Sequence, residues 1–219
     1  MNKYFILYLA FVGAVMAQTP YDSLYLKSTV YKNMIAQFEL TKVVSADVVF
    51  LGNSITFGGA WNELLGRERI INRGIGSDNT VGMLHRLHQV YLLQPKLCFI
   101  MAGINDLYAG ASVNRIFHNY MMIVDTLLLH GIIPVIQSTL HVNPKWKQAV
   151  EKNDEVNKLN FLLKDYAKIK QIEWLDINTA LSSDGALRNE YTTDGVHLTA
   201  LAYHRWRELL LPVLKKHGL

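Results

Sequence analysis

Five short apolar runs, each set between longer amphipathic stretches, fix most of what this chain can fold into. The runs are Val43–Leu51, Arg69–Asn72, Leu97–Ala102, Ile132–Ser138 and Ile172–Ile177. They are rich in Val, Ile, Leu and Phe, and several are nearly continuous in apolarity, as strands buried on both faces should be. Helical patterns occupy about Tyr25–Lys42, Thr80–Leu92, Val113–His130, Pro144–Lys170 and Thr199–Lys216. Alternation of this kind implies an α/β protein, a parallel sheet with helices on both faces. Half of the 219 residues are hydrophobic, which supplies a full core and excludes general disorder. No repeat, low-complexity tract or linker divides the chain. Residues 178–195 read as the longest irregular stretch, and long loops in compact domains are often functional.

The first seventeen residues stand apart from this pattern. Lys3 is followed by an apolar run from Tyr4 to Met16, and Val15-Met16-Ala17 places small residues where a signal peptidase cuts. The run is too short to span a bilayer, so 1–17 reads as a secretory signal peptide and 18–219 as one domain. Export to the periplasm or the extracellular space is expected. No cysteine near the cut offers a lipid anchor, so no stable membrane attachment is expected. The lone Cys98 lies in the run Leu97–Met101 and reads as a small core residue. The formal net charge of +4 is scattered along the chain, which argues against nucleic acid as a partner. No H-E-x-x-H or similar spacing appears, so neither a metal nor another cofactor is expected.

In an open parallel sheet, ligands bind beyond the carboxyl ends of the strands. The first strand is followed by Gly52-Asn53-Ser54, the second by Arg73-Gly74-Ile75-Gly76-Ser77-Asp78, and the third by Gly103-Ile104-Asn105-Asp106. Asp194-Gly195-Val196-His197 precedes the final helix. Singly, each segment is ordinary: a serine after a strand commonly caps a helix, and Gly, Asn and Asp favour turns. Together and in this order they resemble the blocks of the SGNH, or GDSL-type, hydrolase family, here a secreted bacterial member. The likeness runs from about Asp47 to the C-terminus. It implies a three-layer α/β/α, flavodoxin-like fold around a five-stranded parallel sheet.

The resemblance also implies roles. Ser54 is the expected nucleophile, His197 its base, and Asp194 the carboxylate that orients the imidazole through Nδ1–H. The oxyanion hole is expected from the Ser54 amide, the Ser77 amide and the Asn105 side chain. Family members usually carry Gly where Ser77 stands, so Gly76 or Gly74 are alternative backbone donors. Asp78 and Asp106 are read as braces of their loops. The family includes lipases, thioesterases, lysophospholipases and carbohydrate O-acetylesterases. A short chain with no large insertion leaves little room for an acyl tunnel, and export suits glycan processing. The expected substrate is therefore a small acylated compound, an acetylated saccharide, with Tyr108, Trp146 and Tyr191 as an aromatic platform. A short-chain lipid esterase is the second reading. A glycan-binding protein on an inactive scaffold is the third.

Overall fold

The computed structural model describes residues 20–219; the expected signal peptide lies outside the described residues. A 3-10 turn at Pro20–Ser23 leads into α1 (Leu24–Lys27) and α2 (Thr29–Leu40). The chain then enters β1 (Val48–Gly52), α3 (Ser54–Phe57), α4 (Trp61–Leu65) and β2 (Ile70–Gly74). Next come α5 (Thr80–His85), α6 (His88–Tyr91), β3 (Leu97–Met101), α7 (Ile104–Tyr108) and α8 (Val113–Leu129). β4 (Ile133–Gln137), α9 (Ala149–Lys170), β5 (Glu173–Leu175) and α10 (Asn178–Leu181) follow. A small hairpin of β6 (Ser182–Ser183) and β7 (Ala186–Leu187) and a 3-10 turn at Asn189–Tyr191 precede α11 (Ala200–Lys216).

The five main strands form one parallel sheet in the order β2-β1-β3-β4-β5. β1 and β3 are buried at every position, and the apolar runs that encode them fill the sheet's centre because both faces are covered. α5, α8 and α9 pack as neighbours, as do α4, α10 and α11. These two groups are the layers that right-handed crossovers from a sheet of this order place on opposite faces. The result is the three-layer α/β/α arrangement expected from the sequence.

This order positions the site. From β1 the chain moves outward to β2, then returns across β1 to β3, so the crossovers diverge between β1 and β3. Ligand crevices form at such a switch point. Gly52 pairs with both Gly74 and Met101, so three strands end level, and their trailing loops meet at one rim.

Several boundaries moved, and the helical patterns Tyr25–Lys42 and Thr80–Leu92 each divide into two helices. β1 begins at Val48 rather than Val43, because Val43 and Val44 are exposed and precede the sheet. The helix expected from Pro144 begins at Ala149, after Gln148 turns the chain with φ 53°. The 178–195 stretch is less irregular than expected, holding α10, the hairpin and a 3-10 turn.

Candidate active site

Ser54 is the first residue of α3, placed where β1 leaves the sheet. Asn53 caps that helix, its Oδ1 accepting from the Ile55 amide at 3.0 Å. A cap needs only an acceptor oxygen, which the Asn53 amide supplies; Asn53 Nδ2 is left buried without a protein partner. Bareness at Gly74 lets α3 lie directly against β2: a Cβ there would sit 2.3 Å from the Phe57 nitrogen. From the other side, Tyr203 of α11 donates its hydroxyl to the Ile55 carbonyl at 2.7 Å. The nucleophile candidate is therefore held by three elements.

The loop before α11 brings the other two groups. His197 Nε2 lies 3.0 Å from Ser54 Oγ, although the residues are 143 positions apart. On the far side of the ring, His197 Nδ1 is 2.6 Å from Asp194 Oδ2. Asp194 Oδ1 accepts from the amides of Val196 and His197, at 2.9 and 2.8 Å. Partial burial pushes the Asp194 carboxyl up, but the hydrogen bonds from the His197 ring and from these two amides outweigh it and hold it at about 2. It is an anion throughout the neutral range, and an anion at Nδ1 keeps that proton in place and leaves Nε2 free to accept. Ser54, His197 and Asp194 form the row in which a hydroxyl can lose its proton to an imidazole.

Three backbone amides at this rim have no partner. Among the described residues, the N–H groups of Ser54, Gly76 and Ser77 donate to no protein acceptor. Gly74 drops out as an alternative donor, because its amide already donates to Asn72 Oδ1 at 2.8 Å. Ser77 takes the backbone conformation that favours glycine, with φ 60°, so the turn keeps its shape despite the Gly-to-Ser difference from the family pattern. Asn105 donates one Nδ2 hydrogen to the Asp78 carbonyl at 2.8 Å. A side-chain amide carries two such hydrogens, so one remains for a ligand.

Beneath the rim lie two buried braces. Arg86 Nε pairs with Asp78 Oδ2 at 2.7 Å, both side chains fully buried. The same guanidinium donates to the carbonyls of Arg73 (2.8 Å) and Gly52 (3.0 Å), tying together the ends of β1 and β2. Burial raises the Asp78 carboxyl to about 6, with Arg86 pulling against it. Asp106 is fully buried, accepts from the Thr80 amide and hydroxyl at 2.9 and 2.5 Å, and also accepts from the Tyr21 hydroxyl. Burial raises its pKa despite those bonds. Arg86 and Tyr21 escaped notice in the sequence. The only signal for Arg86 was a cation inside an apolar helical run.

The aromatic platform is not assembled as expected. Tyr191 is 4% exposed, with the Arg188 guanidinium over its ring, and so presents no face to a sugar. Tyr108 is half-buried, and its hydroxyl donates to the Lys147 carbonyl at 2.7 Å. Trp146 is partly exposed and packs against Gly195, in the loop that carries Asp194 and His197; a Cβ on Gly195 would approach it to 3.1 Å. Of the three, Trp146 alone adjoins the row. His141, unremarked in the sequence, is buried between Asn157 (2.8 Å) and Ser182 (3.1 Å), and burial lowers its pKa. It fastens the loop after β4. Among the described residues no three His, Cys, Asp or Glu side chains gather to hold a metal ion. The rim is also not flat: a cavity of about 350 Å³ adjoins Ser77 and Asn105, walled by α1 and α2. The expectation of little room beside the core did not foresee this cavity, which the N-terminal helices build.

A parallel sheet with a Ser-His-Asp row at its carboxyl rim is the arrangement of a serine hydrolase. Residues 50–205 match the model of the GDSL-like lipase/acylhydrolase family, and the chain belongs to that family, the SGNH hydrolases, whose members hydrolyse esters. The structure is similar to that of a Bacteroides fragilis protein described as an acylhydrolase. The TM-score is 0.73 at 28% identity, over 91% of this chain and 99% of that one. In sequence it is similar to the platelet-activating factor acetylhydrolase IB subunit alpha1 of Rattus norvegicus, 28% identical over 72% of this chain and 70% of that protein. It is also similar to N-acylneuraminate cytidylyltransferase of Streptococcus agalactiae, 30% identical over 70% of this chain. The chain spans only about a third of that protein's length, 35%.

Proposed function

We propose that this chain is an exported serine esterase that removes short acyl groups, acetyl among them, from carbohydrate hydroxyls. The observation that carries the reading is the contact of Ser54 Oγ with His197 Nε2 at 3.0 Å, with three unengaged amides near the serine end. Ser54 Oγ attacks the ester carbonyl as His197 Nε2 takes its proton, and Asp194 steadies the imidazolium that forms. The carbonyl oxygen becomes an anion facing the Ser54 and Ser77 amides and the second Asn105 hydrogen, each donor worth about 2.7–4 kcal/mol of barrier. His197 returns the proton to the departing alcohol, leaving an acyl ester on Ser54. Water, deprotonated by the same imidazole, then releases the carboxylic acid.

A polar alcohol fits the setting. The row is half-exposed, with His197 and Asp194 side chains 49% and 41% accessible, and no lid covers it among the described residues. Trp146 beside the row can stack on a sugar ring. The lipid-esterase reading has its own support in the cavity of about 350 Å³ and in the likeness to a platelet-activating factor acetylhydrolase subunit. Turnover of p-nitrophenyl acetate by the wild type, lost in Ser54→Ala, tests the chemistry. Competition between acetylated saccharides and lysophospholipids then separates the two alcohols. Sugar binding without turnover would replace both with the inactive-scaffold reading.

A further inference from the structure

The cavity beside the oxyanion turn has two walls from distant parts of the chain. Leu24, Tyr25, Lys27 and Tyr31 line it from the N-terminal helices, Ser77 from the loop after β2, and Asn105 and Ala109 from α7 and its C-terminal cap. Its volume lies within the ordinary range for small-molecule sites, about 300–1,000 Å³. The N-terminal wall is built in. Tyr31 donates its hydroxyl to the Gly82 carbonyl at 2.9 Å, and Tyr25 stacks on His85 at 4.8 Å and meets the Tyr31 ring edge-on at 5.1 Å. Gly82 has to be bare for this fit, since a Cβ there would come 3.1 Å from both tyrosines. Val30 reaches the oxyanion turn itself, 3.4 Å from where a Cβ on Gly76 would be. This wall precedes residue 50, where the family match begins.

Chemistry assigns the occupant. The leaving oxygen has to lie beside His197 Nε2 to receive a proton, and the carbonyl oxygen has to face the free amides. The remaining substituent on the reacting carbon is the acyl chain. None of Ser54, His197 and Asp194 lines the cavity, whereas the donors Ser77 and Asn105 do, so it opens on the oxyanion side of the row. We propose that the segment from Leu24 to Tyr31 forms an acyl pocket. Leu24 on one wall and Ala109 on the other set the longest chain accepted. The inference rests on the ester-hydrolase reading above and extends it to acyl specificity.

The test is the ratio of kcat/KM for p-nitrophenyl hexanoate to that for the acetate. Leu24→Trp and Ala109→Leu narrow the cavity from opposite walls, and both positions are exposed enough to take a larger side chain; melting temperature checks folding. Each variant is expected to lower the hexanoate-to-acetate ratio by about ten-fold, the effect of leaving two or so methylenes unburied in the transition state. A ratio unchanged in both variants, with wild-type turnover intact, overturns the acyl pocket and spares the esterase reading. So does an unchanged ratio with altered discrimination between p-nitrophenyl acetate and acetylated glucose, which would put the alcohol in the cavity. No turnover of any ester by the wild type removes both proposals.

Discussion

Ser77 stands where the family pattern has Gly and keeps the turn's shape at a cost. At φ 60° the Cβ crowds the following carbonyl, a strain of about 1–3 kcal/mol for a residue other than glycine. Ser77→Gly removes that strain and loses about 0.5–1 kcal/mol to the greater freedom of an unfolded glycine. The net expectation is a gain of about 1 kcal/mol, read as a higher urea midpoint at constant slope. Ser77→Val should move the midpoint the other way. For the reacting row, Ser54→Ala or His197→Ala should each cut kcat by about 10³-fold or more, and the double variant should be little worse, since the groups act as a unit. Near-wild-type activity in Ser54→Ala would require another nucleophile. Asp194 gives a pH test. Its folded pKa, about 2, is below the ordinary aspartate value of 3.8; a depressed carboxylate contributes stability above the unfolded pKa and loses it as pH falls through the folded one. Between about pH 4 and 2 the wild type should therefore lose stability relative to Asp194→Asn. Parallel melting curves for the two proteins across that window would remove the assignment.

Among elements, the ends of β1 and β2, already paired along their ladder, share one bracing side chain. Arg86 serves Asp78 and two strand-end carbonyls at once, and Lys cannot reproduce that fork. Arg86→Met leaves the buried Asp78 carboxylate without its counter-ion, with only the Asn79 amide donating to it, and should cost about 3–5 kcal/mol, measured by chemical unfolding. A loss below about 1 kcal/mol would mean that the rim reorganises around Asp78. This brace explains what was and was not legible beforehand. The central strands β1, β3 and β4 lie where continuous apolarity placed them, because a strand buried on both faces leaves that trace in sequence; β2 and β5, at the sheet's edges, are only partly buried. Ser54, Asn105, Asp194 and His197 were legible as short motifs at strand ends. α3, α4, α7 and α10 were not, since helices of four or five residues show too few turns for a period to register. Arg86 to Gly52 spans 34 positions and Tyr21 to Asp106 spans 85, and no local pattern encodes a pairing at that separation. The same holds for Tyr191, whose burial follows from how the 3-10 turn packs rather than from its neighbours in sequence.

At the scale of the whole molecule, the N-terminal helices are joined to the sheet by a separate, smaller core. Tyr31, Phe38 and Ile75 form a cluster of their own, with Tyr25, Met34 and Ile35 against it, apart from the large core around β1, β3 and β4. Leu26, Val30 and Leu40 on this segment remain more than half exposed. Its other attachments include Tyr31 to Gly82, Tyr21 to Asp106, an ion pair of Asp22 with Arg115 at 2.6 Å, Tyr25 stacked on His85 and the Arg73 guanidinium over Phe38. Regions with little buried apolar surface open at lower free energy than the core they rest on. The segment from Pro20 to Leu40 should therefore open as a unit while the sheet stays folded. In native-state hydrogen exchange, amides of α2 should exchange at a free energy clearly below that of β1 and β3. Mild denaturant should reduce hexanoate turnover before acetate turnover, because the wall that buries the longer chain leaves first while Ser54, His197 and Asp194 stay on the sheet's rim. Equal protection of α2 and the central strands would show that the two cores unfold together, and the two ester activities would then fall in step.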